Sequence, residues 1–145
     1  MRPNSLASPP HSHARWRTVD GSGKKMPTPE LISQGEVRWY DFGTAIGSEP
    51  QGPRPVVVIQ GDQLNHSRLR TTVIAAVTSR TSAASLPGAV FIPAGVAGLT
   101  RDSVVQTWAL HTVNKWELSP VEGVVPTAIW KSIERAVAQM MGRAV

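Results

Sequence analysis

Between residues 35 and 116 the chain passes through five apolar, β-branched or aromatic segments, and no link between them carries a long helical repeat. They read "GEVRWYDFG" (35–43), "RPVVVIQ" (54–60), "TTVIAAVTS" (71–79), "AVFIP" (89–93) and "SVVQTWALHTVNKW" (103–116). The links at 44–53, 80–88 and 94–102 are rich in Gly, Pro or Ser, and the polar link at 61–70 has room for one helical turn. Parallel neighbours need a crossover that is usually a helix, so these strands pair antiparallel. The expected fold is mainly β with helices (α+β): a small, strongly curved antiparallel barrel with helices attached.

Two helices are expected after the last strand. In "LSPVEG" (118–123), Ser119 with Glu122 three residues on makes a capping-box pattern. Pro120 suits a first helical position and Gly123 a stop, which predicts a short helix. In "PTAIWKSIERAVAQMMG" (126–142), Ile129, Trp130, Ile133, Ala136, Val137, Met140 and Met141 recur at helical spacing and form one apolar stripe, read as core packing.

Composition divides the chain in two. Residues 1–33 hold five of the twelve prolines, many Ser and Gly and almost no apolar periodicity, and are expected to be a disordered extension. Met26 can serve as an alternative start, which leaves residues 1–25 either without a role or as a basic arm for phosphates. The single folded domain is expected at 34–145. The net charge of +5 splits as 5 − 2 = +3 before residue 34 and 10 − 8 = +2 after it, so the folded part is only mildly basic. No apolar run approaches the roughly 18 residues a membrane span needs, and "MRPNSLASPPHSH" lacks the apolar stretch of a secretory leader. The absence of cysteine removes disulfides and thiolate metal sites and fits a cytoplasmic setting.

Few residues can carry chemistry. His66 and His111 are far apart in sequence, and neither has a nearby ligand partner, so no metal or other cofactor is expected. "GTAIGSEPQG" lacks the lysine and helix start of a phosphate-cradling loop, and no GxSxG elbow is present. Arg54 stands out because Pro53 and Pro55 flank it. Pro55 holds Arg54 extended, Pro53 stiffens the approach, and a guanidinium on that mount suits bidentate phosphate binding. The competing reading is an ion pair with Glu49 or Asp62 at a barrel rim. Thr78 and Ser79 supply strand-end hydroxyls.

"GEVRWYDFGTAIGSEPQGPRPVVVIQGDQLN", "TTVIAAVTS", "LPGAVFIPA" and "GLTRDSVVQTWALHTVNKWEL" resemble the MazF/PemK family, the endoribonuclease toxins of toxin–antitoxin pairs. The likeness runs from about Gly35 to Gly142. It implies an SH3-like barrel of the type also found in the CcdB toxins, and a cytoplasmic homodimer held in check by an antitoxin with an acidic tail. It also implies metal-independent cleavage of single-stranded RNA, by attack of a 2′-OH on the adjacent phosphorus to leave a 2′,3′-cyclic phosphate and a 5′-OH. By the same resemblance Arg54 and Thr78 are the family's essential arginine and threonine, and Ser48, Glu49 and Gln51 lie on a loop that covers RNA. Where several relatives carry an acidic residue, this chain has Trp108. That leaves His111 as the nearby group able to act as base or acid, Gln106 as an edge reader, and Trp108 as a stacking platform or a core residue. Two alternatives stand beside this reading: an RNA-binding module of the same fold that does not cut, and a gyrase-directed toxin of the CcdB kind.

Overall fold

The computed structural model describes residues 31–143. Its strands are β1 (Glu36–Asp41), β2 (Pro53–Val58), β3 (Thr71–Thr78), β4 (Ala89–Ile92), β5 (Ser103–Asn114) and β6 (Gly123–Val124), with α1 (Asp62–Asn65) and α2 (Thr127–Met140) between and after them. All pair antiparallel in one six-stranded sheet of order β4-β5-β3-β2-β1-β6. The sheet curls into a half-barrel, which brings the turn after β4 against β6. A Cβ at Gly123 would run into the Ala97 backbone, and one at Gly98 into the Glu122 carbonyl, so only glycine allows that closure.

Side chains alternate across a strand, so the sheet has two faces. On one, Val37, Trp39, Val57, Ala75, Val77, Val105 and Ile92 pack against Ile133 and Ala136 of α2. The expected stripe therefore faces the core over most of its length, while Met140 and Met141 at its end remain exposed. On the other face, Val56, Val58, Ile74 and Val113 form a smaller core under Ile32 and Leu118. Ile32 is only 2% exposed. The packed body thus begins upstream of the Gln34 boundary that composition suggested; the extension over residues 1–30 lies outside the described residues.

Three local expectations need correction. The helix expected over "LSPVEG" does not form. Ser119 Oγ instead accepts a hydrogen bond from the Trp39 amide (2.7 Å), and the backbone amides of Ser119, Glu122 and Val125 bond to carbonyls of Trp39, Val37 and Gly35. That segment is laid along β1 and becomes the short β6, a sixth strand where five were expected. The capping-box contact lies earlier, where Glu117 Oε1 accepts from the Asn114 amide (3.1 Å) and closes a 3-10 turn, Lys115–Glu117, at the end of β5. Ile59 falls just outside β2, and the 80–88 link holds a 3-10 helix, Thr81–Ser85.

Candidate active site

The prolines beside Arg54 do more than stiffen it. On β1 the carbonyls of Val37 and Trp39 face outward to the Glu122 and Ser119 amides. By alternation, the backbones of Arg38 and Tyr40 face β2, where their partners are Val56 and Arg54. The nitrogens of Pro55 and Pro53 therefore face β3 and have no proton to donate. Accordingly the β2–β3 ladder runs from Val58↔Ile74 to Val56↔Ala76 and stops. Extending that register (56 + 76 = 54 + 78 = 132) sets Arg54 across from Thr78 at the open end. The sequence thus places an arginine and a threonine on either side of a gap that two prolines keep unpaired.

A bulge completes the same face. Ala75 pairs with Leu110 but Ala76 with Gln106, so Thr107–Ala109 are inserted into β5 alone. Three extra residues reverse the alternation. Gln106, opposite Ala76, and His111, opposite Ile74, thereby come to share one face, which an unbroken strand forbids. The bulge is pinned where Thr107 Oγ1 donates to the Gly88 carbonyl (2.7 Å). Gly88 has φ +86°, and a Cβ there would sit 2.7 Å from that hydroxyl and 3.3 Å from the Trp108 ring. The Trp108 ring lies against this glycine and is 40% exposed, so the reading of Trp108 as a core residue is set aside.

These features open into a groove of about 830 Å³ on the face opposite α2, walled by the 47–51 loop on one side and the 3-10 helix on the other. Arg54 Nε donates to the Gln51 carbonyl (3.1 Å), which ties the mount to the loop. Among the described residues it makes no ion pair. Glu49 accepts a long bond from the Ile46 amide (3.4 Å), and Asp62 accepts from Gln34 N and Asn65 Nδ2, so the rim salt bridge is not formed. Thr78 Oγ1 accepts from the Arg80 amide (3.1 Å), which leaves its own proton free to donate. The His111 ring stands edge-on to Phe42 (centroids 5.0 Å apart), with Nδ1 buried and lacking any hydrogen-bond partner.

A family model described as "PemK-like, MazF-like toxin of type II toxin-antitoxin system" matches residues 33–141. The chain belongs to the PemK/MazF-like toxin family. Endoribonuclease MazF6 of Mycobacterium tuberculosis is 42% identical over 111 residues, which are 77% of this chain and 97% of that protein. Endoribonuclease EndoA of Bacillus subtilis is 36% identical over 89 residues, 61% of this chain and 76% of the relative. Among solved structures, a mycobacterial endoribonuclease in complex with its cognate antitoxin superposes with a TM-score of 0.62 at 21% identity, covering 80% of this chain and 98% of that one. MazF of Deinococcus radiodurans gives a TM-score of 0.63 at 21% identity, covering 78% and 98%. At that identity the superpositions speak for the fold alone.

Of the residues that the PemK/MazF resemblance singled out, Arg54, Thr78 and His111 all line the groove, with Ser48, Glu49 and Gln51 on its loop wall and Gln106 and Trp108 on β5. Ser79, which follows the end of β3, is not among the groove-lining residues. Arg80 and Leu86, assigned from sequence to the 80–88 loop and given no site role, do line the groove. Arg80 has no signal beyond following a strand-end Thr-Ser pair, and a single strand cannot show which loop folds back over its face.

Proposed function

We propose that this chain is the toxin of a type II toxin–antitoxin pair and an endoribonuclease that cuts single-stranded RNA by internal transfer to the 2′-oxygen. The observation that carries the reading is Arg54: a guanidinium with no acidic partner among the described residues, on a rigid mount, facing Thr78 across an interrupted ladder. A cation left unpaired in a groove is a ready site for phosphate oxygens.

In the reaction, the 2′-oxygen bonds to phosphorus, the P–O5′ bond breaks, a proton leaves the 2′-OH, and one is gained by the departing 5′-oxygen. Arg54 neutralises charge growing on the nonbridging oxygens. Thr78, with its acceptor lone pair engaged by the Arg80 amide, donates its proton to a phosphate oxygen and holds the group in line. His111 lines the same groove with Nδ1 buried and lacking a partner, so its ring meets the RNA through Nε2 and is placed to exchange a proton with the 2′-OH or the departing 5′-oxygen. The carboxylate on the loop wall, Glu49, is a second group in this groove able to accept the 2′-OH proton. Trp108 offers a face for base stacking, and Ser48, Gln51 and Gln106 offer base-edge contacts.

The same arginine makes the groove attractive to an acidic antitoxin tail, which would block RNA by occupying its site. A homodimer belongs to the same reading, with the exposed Met140–Met141 end of the α2 stripe available to a second copy. No helix of the described residues is long and apolar enough to cross a membrane; we place the toxin in the cytoplasm, where its mRNA substrate is.

Purified protein incubated with single-stranded RNA in EDTA tests the reaction. The expected result is cut strands bearing 2′,3′-cyclic phosphate and 5′-OH ends. Tight RNA binding with no cut strand across a random-sequence pool leaves a binding module instead.

A further inference from the structure

We infer that Arg80 binds an RNA phosphate adjacent to the scissile one, so that the groove holds two successive phosphates with two guanidiniums. The inference rests on the reading of the groove as an RNA site and extends it to a residue that no sequence pattern singles out.

Arg80 follows Thr78 by two residues and lines the same groove as Arg54. Its backbone is fixed at both ends. The amide donates to Thr78 Oγ1 (3.1 Å), and the carbonyl accepts from Ala83 N (3.1 Å) as the 3-10 helix begins. The side chain, by contrast, is exposed and makes no ion pair or hydrogen bond among the described residues. Like Arg54, Arg80 thus combines a fixed base with a guanidinium that has no acidic partner among the described residues. One carboxylate, Glu49, lines the groove with these two arginines, and it sits on the loop wall. Two cations lining one groove draw an anion with a charge for each, and a phosphodiester strand offers negative charge at every nucleotide.

Because Thr78 Oγ1 is bonded to the Arg80 amide, the catalytic hydroxyl and the second arginine share one turn. A phosphate gripped by Arg80 therefore fixes the register of the strand against Thr78. Arg80 is a positioning residue: it acts on where the RNA lies, and the reacting oxygens stay with Arg54 and Thr78.

The test compares wild type, Arg80→Ala and Arg80→Lys on a random-sequence single-stranded RNA pool, with a 2′-O-methylated copy of the pool as the uncuttable ligand. For Arg80→Ala, the slope of log Kd against log salt should flatten by about 0.7, the value of one phosphate on a single strand. Affinity at low salt should fall about tenfold, the weight of one charge-assisted bond, with the loss in KM rather than kcat. Arg80→Lys should restore the slope, and the urea midpoint should match wild type in both variants. An unchanged slope and Kd in Arg80→Ala, while wild type still cuts, overturns this inference alone. So does a kcat loss as large as that of an Arg54 variant. Wild type that neither binds nor cuts the pool overturns the RNA reading and this inference together.

Discussion

Arg38 and Arg54 lie on adjacent strands and on the same face of the sheet, yet the molecule treats them in opposite ways. Arg38 is 2% exposed and fully engaged: Nε and Nη2 donate to Glu36 Oε1, Nη1 to the Ser119 carbonyl and Nη2 to the Leu31 carbonyl. Two chain segments, around 31–33 and 117–119, fold over that end of the face and close it with Ile32 and Leu118. At the other end the β2–β3 ladder has stopped, the covering is a loop and a 3-10 helix, and Arg54 keeps one bond to the Gln51 carbonyl. The same side chain is a structural clamp where its own chain fills its bonds, and it is the proposed phosphate ligand where all but one are left open. Burial and satisfied bonds decide the role.

The largest expected effect on stability is at the closed end. Arg38→Ala leaves the Glu36 carboxylate and two carbonyls without their cation and should cost about 3–5 kcal/mol in urea denaturation. A loss under about 1 kcal/mol, the weight of an exposed pair, would break the contrast by showing that the closed end needs no clamp. At the open end Trp108→Ala should weaken RNA binding by about 1–3 kcal/mol, the weight of one stacked base, while the urea midpoint stays put. A falling midpoint would return Trp108 to the core. Gly88→Ala joins the two measures. Its φ of +86° and the Thr107 hydroxyl in the path of a Cβ predict a stability cost of about 1–2 kcal/mol. The displaced Trp108 ring should change cleavage preference, read by sequencing 5′-OH ends.

The smallest effect sits at the boundary between the two ends. Burial raises the Tyr40 phenol above its ordinary value of 10.0, with the Glu117 and Asp41 carboxylates adding to the shift. The unfolded phenol ionises at 10.0 and the folded one at higher pH. The protonated group's stabilising contribution is therefore intact below 10.0 and is lost as pH climbs through the folded value. Tyr40→Phe should flatten that alkaline loss in urea midpoints taken above about pH 10. A slope equal to wild type would mean that another group titrates there.

Much of this is legible in the sequence. The antiparallel pairing and the α2 stripe follow from patterning, because each rests on a short-range periodicity. Arg54 is legible because proline fixes backbone locally. What the sequence hides depends on pairing. Pro53 and Pro55 show their second effect, the interrupted ladder, only when it is known which neighbour their nitrogens face. Gln106 and His111 share a face only because three residues bulge from β5, and nothing in "QTWALH" announces a bulge. Ser119 and Glu122 match a helix-capping pattern, but the Trp39 amide outcompetes the local helix for that hydroxyl. Arg80 enters the site through a fold-back that strand periodicity does not encode.

If the contrast between the two arginines holds, Arg54 belongs to the chemistry and not to the fold. Cleavage rate and urea stability measured together on Arg54→Ala test this most directly. The expected stability is within about 0.5 kcal/mol of wild type, and the expected cleavage rate is about 10²–10³-fold lower at saturating RNA. A folded variant that cuts at the wild-type rate, or one that loses activity because it no longer folds, would contradict it.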